Sequence, residues 1–274
     1  MQYLYKFEAM TTPCEVTLFT PEKSRADACA KAILLETKRL EKKYSYFDES
    51  SYLSQLNRRE RDDLDPETKQ LLRLAVRFYE KTEHLFDITV ATIKELYRHE
   101  TDSAVLEERL AHLRPRVGCE HFSIKKNRLF FDNPRTTVDF GGLVKEYAVD
   151  RAVRLIKKHK IGSALVNFGG DIFALGRKPD GARFRVGIKD PRDPSRHITF
   201  FELENEAIAT SASYERHYRV GDRTFSHILT ARSATESPLS ATVIAPTCVE
   251  SGVYSTALMI DPELKIPYRT FVVT

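Results

Sequence analysis

Residues 142–175 constrain the fold more than any other stretch of the chain. In GLVKEYAVDRAVRLIKKHK, residues Leu143, Tyr147, Val149, Val153 and Ile156 form an apolar stripe of helical period, and the lysine-rich end suits the negative end of the helix dipole. Gly162 then breaks the helix. SALVNFGGDIFALG follows, two apolar runs around Gly169-Gly170, which is the pattern of two strands joined by a tight turn. An amphipathic helix feeding a strand pair, with no strict alternation of single strands and helices, predicts an α+β protein and not a doubly wound sheet.

The remaining segments agree with that class. Residues 2–19 read as a strand pair broken at Thr12-Pro13, and 24–45 as an amphipathic helix with Ser24 as its N-cap. FDESSYLSQLN reads as a loop leading into one turn of helix, and Pro66 opens a second long helix, a placement proline favours. FDITVATIKELY and residues 104–113 add two further helices. HFSIKKNRLFF reads as two strands turning at Lys126-Asn127, and TTVDFG as another strand. FRVGIKD, ITFFEL, EAIATSA, YERHYRV, TFSHILT, SATVIAP and a terminal RTFVV supply more strands, with a last helix over about 248–259. The chain shows no repeat and no linker rich in Pro, Gly or Ser, so one domain over residues 1–274 is expected.

Composition closes several functional classes. The 43 basic and 39 acidic residues leave a net charge of only +4, too mild and too mixed for a nucleic-acid protein. The chain has no run of about 18 apolar residues, the minimum for a membrane span. The first residues carry charge early and alternate as a strand does, unlike a secretory leader, which predicts a cytoplasmic protein. Cys14, Cys29, Cys119 and Cys248 share no short spacing and read as free, buried thiols.

Three places stand out as candidate chemistry. In VDFGGLVKEYAVD a glycine pair precedes a helix with Lys145 in its first turn, a combination that favours anions but also fits a plain turn with a solvated lysine. LVNFGGDIFALG sets Asp171 after a second glycine pair. ATSAS, with Thr210 and Ser211, lies 16 residues before His227 at Ser211, close enough for the two to be hairpin neighbours. A Ser-His pair admits a hydrolase, although the G-x-S-x-G elbow is absent and the one acid within residues 223–238 is Glu236.

Taken in order, these pieces resemble the FAD:protein FMN transferases, the ApbE-type flavin transferases. AMTTPCEV is similar to the family's Met-Gly-Thr opening, with Thr11 where glycine is usual. YFDESSYLSQLN and FDITVATI resemble two further family segments, contributing Phe47 and Asp87. VDFGGLVKEYAVDRA, LVNFGGDIFALGRKPDG, AIATSASYER and SHI complete the likeness. The resemblance implies a T-fold-like α+β domain with mixed or antiparallel sheets packed with helices. It implies an enzyme that takes FAD, transfers FMN to a Thr or Ser of an acceptor protein and releases AMP. The site it implies comprises Met10, Phe47, Asp87, Lys145, Gly169, Gly170, Asp171, Thr210, Ser211, His227 and Ile228, with His227 and Lys145 in catalytic roles. Mg²⁺ would be held by the carbonyl of Gly142 and the hydroxyl of Thr256.

The chain departs from the family pattern in two places. The Asp-Pro-x-Thr-Gly that follows SHI is replaced by Thr230 to Ala234. In the last helix the family's Asp-Ala-Leu-Ala-Thr-Ala becomes Gly252 to Ala257, so a glycine replaces the metal-binding carboxylate, at about 1 kcal/mol of helix stability relative to alanine. Glu250 lies six residues from Thr256, about 240° around the helix and on the wrong face. Asp171, Glu146 (where the family has glycine) and Glu236 are the acids that repositioning would have to use. A flavin-binding relative without transferase activity is the alternative these losses leave open. Ser240-Ala241-Thr242 resembles an acceptor motif but reads as the start of a strand.

Overall fold

The computed structural model describes residues 1–213, 217–226, 228–230 and 238–274. The chain opens with a hairpin, β1 (Gln2–Ala9) and β2 (Thr12–Phe19), and continues through α1 (Lys23–Tyr44), α2 (Tyr52–Asn57), α3 (Pro66–Lys81), α4 (Ala91–His99) and α5 (Ser103–Leu113). A short hairpin, β3 (Phe122–Lys125) and β4 (Arg128–Phe131), leads to α6 (Val144–Lys158). Then come β5 (Ser163–Phe168), β6 (Asp171–Leu175), β7 (Phe184–Asp190), β8 (Asp193–Leu203), β9 (Glu206–Ala212), β10 (His217–Val220) and β11 (Arg223–Ser226). β12 (Ser240–Ala245), α7 (Cys248–Ile260) and β13 (Arg269–Val273) end the chain.

Among the described residues one sheet has seven strands, ordered β1-β2-β5-β6-β9-β12-β13, with every neighbouring pair antiparallel. Strand alternation explains how it is covered. Cys14, Val16 and Leu18 of β2 and Ala164, Val166 and Phe168 of β5 are buried with Ile33, Leu40, Val149, Val153 and Val253 from α1, α6 and α7. On a second core, Phe184, Val186, Ile188 and Leu203 of the β7–β8 hairpin pack with Ala174, Ile208 and Ile244 of the sheet. A third, small core joins α4 and α5 to β10 and β11 through Ile93, Leu106, Leu110 and Val220. The architecture is thus α+β, as the clustering of elements predicts.

Register decides what gathers at one end of the main sheet. Ala9 pairs with Thr12, Cys14 with Phe168, Phe168 with Asp171, and Ser240 with Ala212. The β1–β2 turn, the β5–β6 turn, the start of β6, the end of β9 and the start of β12 therefore share that end. No described helix is long and apolar enough to cross a membrane.

Three local expectations are corrected. The first hairpin turns at Met10-Thr11, both in the left-handed region (φ 53° and 58°), and Pro13 sits inside β2. α1 starts at Lys23 after Glu22, which gives no side-chain cap, so Ser24 is inside the helix. TTVDFG joins no sheet, because side chains satisfy its backbone instead. Asn57 bonds both the N–H (2.9 Å) and the carbonyl (2.8 Å) of Val138, and Thr92 Oγ1 accepts from Thr137 N–H (3.0 Å). The turn at Lys126-Asn127 and the strand at Ser240 form as read, with Thr242 buried in β12. All four cysteines are free and buried.

Candidate functional site

Two tight turns lie side by side at the shared sheet end. Met10-Thr11 and Gly169-Gly170 each join paired strands by two residues with positive φ, the geometry that matches the twist of a hairpin. Gly169 N–H donates to the Pro13 carbonyl (3.0 Å) and Gly170 N–H to Asn167 Oδ1 (2.9 Å), which ties the turns together. A side chain at Gly169 would strike the Thr12 hydroxyl, whereas nothing lies within 4 Å of the place a Cβ on Gly170 would take. The backbone at Gly170 is therefore open to close approach. Met10 N–H donates to the carboxylate of Glu41 from α1.

The first turn of α6 stands against this end. Asp139 Oδ1 accepts from Gly141 N–H (2.9 Å) and the Phe140 carbonyl accepts from Leu143 and Val144 (2.8 and 2.7 Å), so the Gly141-Gly142 turn delivers the chain into the helix. Lys145, one quarter exposed, pairs its ammonium with Oδ2 of Asp171, and the same Nζ lies 3.6 Å from Oε1 of Glu146. Asp171 and Glu146 are buried, at 4% and 6% exposure. Oε2 of Glu146 finds no hydrogen-bond partner among the described residues.

α7 and β9 supply hydroxyls. Ser211 Oγ shares hydrogen bonds with Ser255 Oγ (2.8 Å) and Thr256 Oγ1 (3.3 Å), Thr210 shares one with Thr242 (2.8 Å), and Ser255 donates to the Gly252 carbonyl (3.0 Å). Among the described residues, Ser211 Oγ is thus engaged with hydroxyls of α7. Cys248 and Val249 N–H at the start of α7 donate to the two oxygens of Asp150 from α6 (2.8 and 3.2 Å). Burial pushes the Asp150 carboxyl up to about 6 despite those bonds. Glu250 is occupied elsewhere, by Tyr268 (2.7 Å) and Thr247 (2.8 Å), in keeping with its wrong helical face.

The other predicted residues are spread more widely. Phe47 is 60% exposed on a cleft of about 300 Å³ lined by Tyr46, Ser54, Asn57, Glu95 and Arg98. Lys94 and Arg98 lie 4.8 and 4.4 Å from its ring, and Lys94 also pairs with Asp139, which links this cleft to the Gly141-Gly142 turn. Sequence reading missed Lys94 and Asp139, whose partnership spans 45 residues and leaves no local signal. Asp87 plays a structural part. It accepts from Thr89 N–H (2.7 Å) and Oγ1 (2.6 Å), and burial raises its pKa. Ile228 packs on the main core, its N–H donating to Ser226 (3.1 Å). His227 and Glu236 lie outside the described residues. A cavity of about 870 Å³ between α3 and β3 is lined by none of these residues.

Comparison with known proteins assigns the family. The ApbE family model matches residues 10–267. FAD:protein FMN transferases of Klebsiella pneumoniae and Escherichia coli K12 are 29% and 27% identical over 202 residues, which is 69% of this chain and 58% of each relative. The chain thus spans 58% of the length of these curated relatives. The crystal structure of the ApbE protein from Thermotoga maritima superposes with a TM-score of 0.87 at 27% identity, covering 99% of this chain and 94% of that one. The flavin transferase ApbE of Vibrio cholerae shares the fold at a TM-score of 0.82 and 22% identity, over 100% of this chain and 97% of that one. With its glycine turns, its pairing of Lys145 with the buried Asp171 and a family match running almost end to end, this chain belongs to the ApbE family.

Proposed function

We propose that the chain, acting as one domain, takes FMN from FAD, attaches it to a Ser or Thr hydroxyl of an acceptor protein and releases AMP. The observation that carries this reading is the juxtaposition, in a chain of this family, of an open glycine turn with the Lys145 ammonium at one end of the sheet. Relatives at 27–29% identity are named for that reaction.

The residues have separable parts. Gly170 lets the dinucleotide backbone come close, and Lys145 offers a point charge to a phosphate while Asp171 fixes its direction. Phe47, exposed between two cations, offers a ring face to a planar aromatic group. The acceptor oxygen attacks the FMN phosphorus, the bond from that phosphorus to the bridging oxygen breaks, and AMP leaves with that oxygen. The hydroxyl proton passes to a base, for which the reading takes His227.

Among the described residues, Glu146 Oε2 is orphaned and the hydroxyls of Ser211 and Thr256 lie at hydrogen-bond distance; with the Gly142 carbonyl these are the oxygens that would hold an ion. That set fits a hard divalent ion such as Mg²⁺. When bound, such an ion would neutralise charge on the pyrophosphate.

The test is to incubate the protein with FAD, Mg²⁺ and a Thr-bearing acceptor polypeptide and follow AMP and acceptor mass. The expected result is equal amounts of AMP and FMN-modified acceptor. Tight FAD binding with no AMP under any divalent metal would overturn transfer and leave a flavin-binding protein.

A further inference from the structure

α6 and α7 run antiparallel, and their polar contacts advance by one helical turn at a time. At one level Asp150 receives the N–H groups of Cys248 and Val249. One turn nearer the start of α6, Glu146 lies on Gly252. A Cβ built on Gly252 would sit 3.0 Å from Glu146 Cδ and 3.1 Å from Oε1, and closer still to Cγ. The Glu146 side chain thus fills the space that any residue other than glycine would need at 252. Four residues further along each chain stand Gly142, just before α6, and Thr256.

This carboxylate is 6% exposed, and among the described residues its cationic neighbour is Lys145, at 3.6 Å from Oε1 and already paired with Asp171. Oε2 is left without a donor among the described residues. A buried carboxylate oxygen without a partner is costly, and a bound cation would offset that cost. Among the described residues two buried carboxylates share one ammonium.

We propose that Glu146 is a divalent-cation ligand, and that Gly252 is glycine because the Glu146 carboxylate crosses from α6 to occupy its place beside Thr256. The pattern resembled by the sequence has these two residue types in the opposite positions, glycine on α6 and the acid on α7. The site takes a hard ion through Glu146 Oε2 with the Thr256 hydroxyl one turn along α7, and Mg²⁺ is the ion to test. The purpose of the ion rests on the flavin-transfer reading; its existence does not.

The experiment is calorimetric titration of Mg²⁺ into the full chain without flavin, with Mn²⁺ paramagnetic resonance as a second readout. The wild type should bind. Glu146→Gln, which keeps the shape and removes the charge, should weaken binding by roughly tenfold or more. Gly252→Asp alone should melt lower, since both side chains claim one space. The exchange Glu146→Gly with Gly252→Asp should restore both melting temperature and Mg²⁺ binding. The proposal is overturned if the wild type does not bind Mg²⁺, if Glu146→Gln binds as the wild type does, or if the exchange binds no better than Glu146→Gln. FAD titration of the wild type in chelator is scored separately. Failure there would sink the flavin reading while leaving the cation site standing.

Discussion

On the flank of α6 that faces α1 and α3, Arg151 joins a network in which every charge has a partner. Arg39 reaches Glu36 (2.8 Å) and Glu67 (2.7 Å), Lys43 reaches Glu67 (2.8 Å) and Asp65 (3.0 Å), and Arg151 closes on Glu36 (2.8 Å). At the first turn of the same helix, Glu146 and Asp171 are more deeply buried, share one lysine, and leave an oxygen unmatched among the described residues. The difference lies in satisfaction and not in charge density. Burial opposes ionisation of Glu67, yet Arg39 and Lys43 outweigh it and hold its pKa down to about 2. A paired network locks helices together; an unpaired one has room for a ligand.

Substitutions should separate the two. Glu67→Gln is expected to cost about 2 kcal/mol at neutral pH, less than a fully buried pair because Glu67 keeps 17% exposure. Denaturant unfolding should show the loss while FAD affinity stays unchanged; a comparable change in FAD affinity would break the comparison. Lys145→Met should do the reverse, weakening FAD binding by roughly tenfold at low salt, with a gap that narrows as salt is raised. Fluorescence titration at two ionic strengths checks this.

Acid should also act on the two sides with opposite sign. Glu67, with a lowered folded value, contributes stability above its ordinary value of 4.5 that disappears as pH falls toward 2. Asp150 has a raised folded value near 6, so the folded state takes up its proton first. Its contribution therefore improves as pH falls from 7 through 6 toward 3.8, with a slope of at most about 1.4 kcal/mol per pH unit. Unfolding midpoints of Asp150→Asn against pH should lack that slope. The smallest effect is expected at Thr11, a β-branched residue held at φ 58°. Thr11→Gly should raise stability by about 0.5–1 kcal/mol in the same assay.

What could be read in advance follows from the range of the interaction. The α6 stripe, the β5–β6 turn and the helix opening at Pro66 are local patterns, and each formed where read. TTVDFG misled because its apolar alternation resembles a strand, whereas Asn57, 81 residues away, supplies the bonds a neighbouring strand would have given. Met10-Thr11 was missed as the turn because proline at 13 is the louder breaker in sequence, although a β-strand can hold it near its start. Among the site residues, Lys145 and Asp171 were visible through their glycine pairs. The relation of Glu146 to Gly252 spans 106 positions and surfaces in sequence only as two separate oddities, a glutamate and a glycine each out of place.

That contact also restricts the order in which such a chain can change. With Glu146 in its present place, a side chain at 252 would collide with it, so one of the two must give way. A lineage moving between the two arrangements by single substitutions, without that clash, gives up Glu146 while glycine still stands at 252, a form with neither carboxylate in place. The helix contact is therefore a barrier in sequence space, and it makes the replacement at either position conditional on the other.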